Sequence, residues 1–411
     1  MKFSQFNTTI ERKDDLLIYN SFSGALIKIP KKKMHEAEPL LIKNRMLIHD
    51  DENEVLTYQY IYYNSIFNSK DLSITIAPTT DCNLCCPYCF EAGHRHKEYM
   101  DEALLNSIAE YLCSKKKKAI HITWFGGEPL LCFDKMLELS RRLTAQGLQF
   151  TSSIITNGTL LSQRVIEQLP ELNLTSVQIT LDGDKNEHDK KRFFSNKNGT
   201  FNLINKNIDN LLNGSNIPII IKINIDKNNY ISCMELIGSL KEKYKSYLTE
   251  QRIKIITNYI RNITNFKGSE ACLSESEYYN ISASLNKPKP ELPKLCLTCP
   301  LRSPNDIIIG PDGNIYKCLE FMGDKTKSIG NIKTHSLSLS SLAQTALSHN
   351  PFDDPKCLSC SILPICGGGC PNSRARKEKG EDVSVCSPLK DKVHDMLNAY
   401  LNQAMPNKEN D

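Results

Sequence analysis

The sequence predicts an α/β protein, a partial (β/α)6 TIM-like barrel followed by a loop-rich, cysteine-rich domain. Three observations carry this. Between Leu72 and Tyr259, short apolar runs alternate with helix-length segments. That alternation is the signature of βα units on a parallel sheet. Six such units are too few to close an eight-stranded barrel, so the sheet stays open. Finally, the sixteen cysteines are gathered at two places rather than spread along the chain.

Taken in order, the N-terminal segment 1–71 opens on a hairpin, Leu16 to Tyr19 and Ala25 to Ile29 around Ser23-Gly24. The rest of it reads as irregular, charged and Tyr-rich. The barrel covers 72–285. Its strands are predicted at Leu72 to Ala77, Ile120 to Phe125, Phe150 to Ile155, Ser176 to Leu181, Ile217 to Ile225 and Ile253 to Tyr259. Helical stretches fall at Glu102 to Cys113, Phe133 to Ala145, Ser162 to Leu169, Leu203 to Leu212, Ser232 to Tyr244 and Glu275 to Leu285, the last capped by Ser274. Residues 286–295, NKPKPELPKL, cannot continue a helix and read as a linker. The cysteine-rich domain follows over 296–390, and 391–411 is a C-terminal helix and tail.

Bulk properties narrow the function. A net charge of +4 without a long basic stripe argues against nucleic acid as a partner. The run Lys115 to Lys118 reads as a solvated helix end. No segment approaches the roughly 20 apolar residues that span a membrane, and Met1 to Asn20 lacks the apolar run of a signal peptide. A cytoplasmic protein is therefore expected. In a reducing compartment so many cysteines point to metal or redox chemistry rather than disulfides. Four lie between Cys82 and Cys89 and eight between Cys296 and Cys386. The other four, Cys113, Cys132, Cys233 and Cys272, read as small buried hydrophobes.

After the first strand comes Thr80-Asp81-Cys82-Asn83-Leu84-Cys85-Cys86-Pro87-Tyr88-Cys89-Phe90. Cys82, Cys86 and Cys89 have the spacing C-x3-C-x2-C, on a loop at the strand end where barrel enzymes carry their active sites. A four-iron cube held by three thiolates keeps one iron without a protein ligand, and an open coordination position lets a metal bind substrate or cofactor. Zinc is the competing reading. It would take a fourth ligand, and Cys85 or His94 is on offer.

C-x3-C-x2-C with an aromatic, Tyr88, before the last cysteine resembles the radical SAM superfamily. Further motifs agree in order: Gly126-Gly127-Glu128-Pro129 after the second strand, Thr156-Asn157-Gly158 after the third, Thr180-Leu181-Asp182-Gly183 ending the fourth, then His188-Asp189-Lys190-Lys191-Arg192, with Asn224 near the end of the fifth. The resemblance implies a 4Fe–4S cluster on Cys82, Cys86 and Cys89 and S-adenosylmethionine bound beside Tyr88. Gly126 and Gly127 would let backbone approach the cofactor, Glu128 would accept from its ammonium, and Arg192 would pair with its carboxylate. Asn157, Thr180 and Asn224 would bind its ribose or carboxylate.

The second cysteine region runs Cys296-x2-Cys299, then Cys318, Cys357-x2-Cys360-x5-Cys366-x3-Cys370, and Cys386. Ile307 to Ile309, the turn Gly310 to Gly313, and Ile315 to Lys317 form a predicted hairpin that presents Cys318. Paired zinc sites of four thiolates would also fit this spacing. The region resembles the SPASM extension of radical SAM peptide-modifying enzymes, which holds auxiliary 4Fe–4S clusters. By that resemblance Cys296, Cys299, Cys318 and Cys370 close one cube, and Cys357, Cys360, Cys366 and Cys386 the other. Three cubes would hold about twelve irons.

The resemblance implies reductive cleavage of S-adenosylmethionine to a 5′-deoxyadenosyl radical, fed by a one-electron donor such as flavodoxin or ferredoxin. The expected substrate is a peptide or protein side chain, foremost a small ribosomally made precursor peptide given a thioether or carbon–carbon crosslink. The N-terminal segment would engage the peptide or cap the barrel bottom. Anaerobic sulfatase maturation, making formylglycine, is a second reading. That subfamily places an Asp after the hairpin cysteine, where this chain has Leu319 and then Glu320. A non-catalytic iron–sulfur electron carrier is the third. No acid or base is singled out: Glu320 and Asp306 read as hairpin surface residues, and His121 as core.

Overall fold

The computed structural model describes residues 1–68, 71–92, 97–115, 119–263, 266–284, 292–293, 295–296, 299–387 and 389–404. His94, Lys116 to Lys118 and most of the 286–295 linker lie outside the described residues. The chain forms two compact units. One joins 70–285 to 304–342, and the other joins 1–69 to 286–303 and 343–411.

In the first unit, six parallel strands stand side by side in chain order: Asp71–Ile76, Ala119–Trp124, Thr151–Thr156, Leu174–Leu181, Ile219–Ile225 and Ile253–Tyr259. Period-2 alternation sorts their side chains. Ile74, Ile76, Ile122, Trp124, Ile154, Val177, Ile179, Ile221 and Ile223 are buried in the main core, with Leu104, Ile108, Met136, Leu139 and Ile208 of the helices. The residues between them, among them Thr75, Thr123, Ser153, Gln178, Thr180, Lys222 and Asn224, give the opposite face a polar character. Helices Glu102–Ser114, Phe133–Ala145, Gln163–Gln168, Phe201–Gly214, Tyr230–Lys243 and Glu275–Ser284 follow the strands. Side-chain caps start two of them and the short helix Lys185–Lys191: Asp101 accepts from Leu104 N, Ser162 from Val165 N and Asp184 from Glu187 N.

The parallel sheet continues beyond its first strand. Asp306–Ile309 pairs in parallel with Asp71–Ile76, and Asn314–Tyr316 returns antiparallel to it. The hairpin expected to present Cys318 is therefore present, as part of the barrel sheet. Gly313 takes φ +88° at its turn, where a Cβ would lie 2.9 Å from Asn331 Oδ1. Glycine is what this turn requires.

The second unit contains the expected opening hairpin and corrects the reading of the rest of 1–71 as irregular. Asn7–Glu11, Asp15–Asn20 and Leu26–Pro30 form an antiparallel sheet, and Glu54–Phe67 is a helix. Tyr58, Tyr62 and Ile66, one turn apart on that helix, are all buried. They pack with Phe6, Phe352 and Leu363. Tyrosines diluted by Thr, Gln and Asn hide this apolar stripe in the sequence. Near the chain end, Leu389–Ala404 is helical as expected, and its Val393 and Leu397 join Tyr19, Ile362 and Ile365 in another core cluster. N-terminal and C-terminal segments thus share their cores. Of the four scattered cysteines, Cys132 and Cys233 are buried, Cys272 is partly so, and Cys113 is exposed at a helix end.

Tyr58 has 0% of its surface exposed, and its ring meets those of Phe6, Phe22, Tyr62 and Phe352. Tyr58→Ala should cost about 3–5 kcal/mol, read as a lowered denaturant midpoint with an unchanged slope. A loss below about 1 kcal/mol would show that this cluster does not hold the unit together.

Candidate functional site

The cysteine loop leaves the first barrel strand and is pinned at several points. Leu84 is wholly buried and bridges to Phe194, while Cys85 N donates to Phe193 O at 2.8 Å. Cys82, Cys86 and Cys89 are half-buried, whereas Cys85 is exposed. Cys82 Sγ accepts from Leu84 N at 3.5 Å and from Asn157 Nδ2 at 3.9 Å. N–H donors at sulfur favour the thiolate, the form that ligates a metal.

The Gly-Gly-Glu-Pro turn grips this loop from the second strand. Gly127 N donates to Thr79 O at 3.0 Å and Glu128 N to Asp81 O at 2.8 Å. A Cβ on Gly127 would lie 2.1 Å from Asp81 O, and one on Gly126 2.5 Å from Thr79 O. The missing side chains make room for the cysteine loop's own backbone, a use that the sequence reading did not foresee. Glu128 departs further from expectation. Its fully buried carboxylate accepts from Thr156 Oγ1 at 2.7 Å, Asn157 N at 2.7 Å and Leu130 N at 3.1 Å. Burial pushes its pKa up, and these three donors pull against that. Glu128 braces strand ends, so an incoming ammonium would compete with three protein donors.

Asn157 is spent on the loop as well. Its Nδ2 donates to Asn83 Oδ1 at 2.8 Å, and its Oδ1 accepts from Thr159 N and Oγ1 at 2.9 and 2.7 Å. Thr180 and Asn224 lie on the polar strand face, with Thr180 in register with Lys222.

A buried polar network closes the site. Tyr88 Oη donates to Asp182 Oδ2 at 2.5 Å and accepts from Arg192 Nη1 at 2.9 Å. Burial raises the pKa of both Tyr88 and Asp182. Asp182 Oδ1 and Arg192 Nε are buried without a hydrogen-bond partner in the structure. An orphaned acceptor on an acidic residue and an orphaned donor on a basic one, joined through the Tyr88 hydroxyl, suit the charges of an amino-acid zwitterion. In the sequence, Asp182 stands within Thr180-Leu181-Asp182-Gly183 with nothing local to mark its role.

Asn229 and His188 support this network. Asn229, fully buried, donates to Asp182 O at 2.9 Å and Asn224 O at 3.0 Å, tying two strand ends together. His188 accepts at Nδ1 from Asp182 N at 3.3 Å and meets Thr200 Oγ1 through Nε2 at 3.0 Å. Thr200 Oγ1 donates its own proton to Arg192 O at 2.7 Å. The Nε2 of His188 must therefore be the donor, and the ring is neutral. Burial, with Arg192 nearby, lowers its pKa to about 3.

His121 and Glu320 are placed differently from expectation. His121 bonds Thr151 and Ser153 hydroxyls at 2.9 and 3.0 Å from a half-buried position on the polar strand face. Glu320 pairs with Arg261 at 2.8 Å and is only 18% exposed, so it is no simple surface residue.

In the other unit, a cavity of about 600 Å³ is lined by Cys357, Cys360, Cys366 and Cys386 together. This is one complete set of the expected auxiliary ligands, in a space large enough for a cube. Cys296, Cys299 and Cys370 also belong to this unit, where Cys299 lies within electrostatic reach of the other two, whereas Cys318 belongs to the barrel unit.

Comparison with known proteins matches residues 76–227 to the family described as the Radical SAM superfamily. The probable GTP 3′,8-cyclase of Methanocaldococcus jannaschii is 30% identical over 222 residues, 48% of this chain and 72% of that one. The cysteine-type anaerobic sulfatase-maturating enzyme of Clostridium novyi is 25% identical over 338 residues, 73% of this chain and 88% of that one. The crystal structure of Streptococcus suis SuiB bound to precursor peptide SuiA shares the fold at a TM-score of 0.58 and 16% identity, covering 94% of this chain and 99% of that one.

The neutral His188 has a consequence in solution. Its folded pKa lies below its ordinary value, so between about pH 6.5 and pH 3 the unfolded chain binds a proton that the folded one refuses. Its contribution to stability is therefore lost as pH falls through that window, by about 1.4 kcal/mol per pH unit. Unfolding free energies measured from pH 6.5 to 4.5 should fall more steeply for the native protein than for His188→Gln. Parallel slopes would mean that His188 is charged in the folded state.

Proposed function

Since this chain belongs to the radical SAM superfamily, with a 4Fe–4S cluster and S-adenosylmethionine as its cofactors, we propose that it matures a peptide or protein by modifying a side chain. The favoured substrate is a small ribosomally made precursor, and the favoured product a thioether or carbon–carbon crosslink. When bound, the cofactors supply a 5′-deoxyadenosyl radical by one-electron cleavage of the sulfonium, which then removes a substrate hydrogen.

The chain's own residues would do the positioning. Cys82, Cys86 and Cys89 would hold the cluster and leave one iron open. Arg192 and Asp182 would meet the carboxylate and ammonium of S-adenosylmethionine through their unpaired atoms, with Gly126 and Gly127 fixing the adjacent turn. Thr180 and Asn224 would face the ribose from the polar strand face. Glu128 and Asn157 would keep the loop in place rather than bind the cofactor directly.

The observation that carries the substrate class is the cavity lined by Cys357, Cys360, Cys366 and Cys386. A metal held there would be more than cofactor cleavage requires, and the four cysteines belong to the SPASM-like pattern. The three-stranded N-terminal sheet supports the same reading. Leu26–Pro30 is an edge strand there, to which an extended peptide could add. The precursor peptide bound by SuiB agrees with this. Sulfatase maturation is the second reading, supported by the shared length with the Clostridium novyi enzyme. Leu319, where that reading expects an Asp, stands against it.

Reconstituted enzyme with a reductant should release 5′-deoxyadenosine, and the triple variant Cys82→Ala, Cys86→Ala, Cys89→Ala should release none. Persistence in the variant would sink the reading, and absence from both would favour an electron carrier. With a candidate peptide whose target residue is cysteine and that carries no serine, mass spectrometry separates the two products. A crosslink removes two hydrogens and keeps every sulfur, whereas formylglycine made from cysteine loses that sulfur.

A further inference from the structure

Helix Pro371–Glu378 begins directly after Cys370 and carries Arg374, which is 9% exposed. All three arms of its guanidinium are committed. Nε donates to Gly368 O at 2.6 Å, Nη1 to Asp354 Oδ2 at 3.1 Å, and Nη2 to Cys357 Sγ at 2.7 Å. The first two partners are themselves fixed. Gly368 has φ +81°, and a Cβ there would lie 2.1 Å from Pro351 Cβ. Asp354 caps helix Pro355–Leu358 by accepting from Lys356 N at 3.0 Å. Two rigid acceptors thus aim the third arm at a sulfur on the wall of the cysteine-lined cavity.

Resting on the reading that this cavity holds an auxiliary 4Fe–4S cluster, we propose that Arg374 is a positioning residue that sets the cluster's reduction potential by holding a cation on the Cys357 sulfur. One-electron reduction spreads negative charge over a cluster and its thiolates. Hydrogen bonds to those sulfurs are among the levers that set the potential. A charge-assisted donor in a half-buried site stabilises the reduced form more than the oxidised form, which raises the potential. Asp354 works in opposition. Its Oδ2 lies 3.6 Å from the same sulfur, and Arg374 offsets its charge.

The test is a potentiometric titration with dithionite, followed by electron paramagnetic resonance, on the full chain after reconstitution. Replacing Cys82, Cys86 and Cys89 by Ala in every sample silences the barrel cluster. In Arg374→Gln, one auxiliary signal should shift to more negative potential. Its oxidised-to-reduced ratio at a fixed poise should rise at least tenfold, about 59 mV for a one-electron couple. Asp354→Asn should move the same signal the opposite way, and Arg374→Lys should recover part of the loss. The other auxiliary signal should stay in place.

Unmoved midpoints in both Arg374→Gln and Asp354→Asn would overturn the proposal, as would an equal shift of both signals. If Arg374→Gln fails to retain its cluster, Asp354→Asn decides alone, and an unshifted midpoint there is the overturning result. Iron analysis separates this from failure of the underlying reading. If replacing Cys357, Cys360, Cys366 and Cys386 by Ala removes no iron, the cavity holds no cluster and both ideas fall. An intact cluster with an immobile potential sinks only the role of Arg374.

Discussion

The buried carboxylate of Glu128 is the constraint on which the rest of the site depends. With 0% exposure it has no water to solvate it, so its charge must be met by protein donors. Thr156 Oγ1, Asn157 N and Leu130 N supply them, from the end of one strand and from its own turn. Once that carboxylate is placed, Gly127 N and Glu128 N point at Thr79 O and Asp81 O. Asn157, held by the same carboxylate, then reaches Asn83 and the sulfur of Cys82. Removing the carboxylate would orphan three donors, at about 1–3 kcal/mol each. The position of the cysteine loop is thus set by a residue whose carboxylate is held by three protein donors.

The barrel was legible because its signal is periodic. Strands such as Ile219–Ile225 alternate buried isoleucine with Ile220, Lys222 and Asn224, and helical segments lie between them. The cysteine spacing and the ordered turn motifs located the site on successive strand ends. What the sequence could not convey was direction. Glu128 reads as a ligand for an ammonium, and the structure adds three protein donors to its carboxylate; Gly127 reads as a cradle, and the structure adds the cysteine-loop backbone packed against it. Asn229 looks like a turn residue, because Asp226 accepts from the amides of Asn228 and Asn229. Its long-range bonds to Asp182 O and Asn224 O have no local signature.

The second unit was harder to read for a topological reason. Its cores combine Phe6, Tyr58 and Tyr62 with Phe352 and Leu363, residues separated by nearly the whole chain. Pattern reasoning works within a window, and no window holds both halves. Arg374 was hidden differently, as one more basic residue in a stretch with Arg376, Lys377 and Lys379. Only its burial and its bond to Cys357 set it apart. The eight thiols between Cys296 and Cys386 were conspicuous, and the structure adds which four share a cavity.

Radical chemistry requires that the reactive fragment form where water and stray donors are kept out. The orphaned Asp182 Oδ1 and Arg192 Nε lie buried beside the cysteine loop, as a site for a zwitterionic cofactor needs. The most direct test is electron–nuclear double resonance on the reduced enzyme, using S-adenosylmethionine labelled with 15N at its amino group and 17O at its carboxylate. The account predicts hyperfine coupling from both labels to the barrel cluster, lost when Cys82, Cys86 and Cys89 are replaced. A cluster signal with no coupling to either label would contradict it, for the open iron would then not be where the cofactor binds.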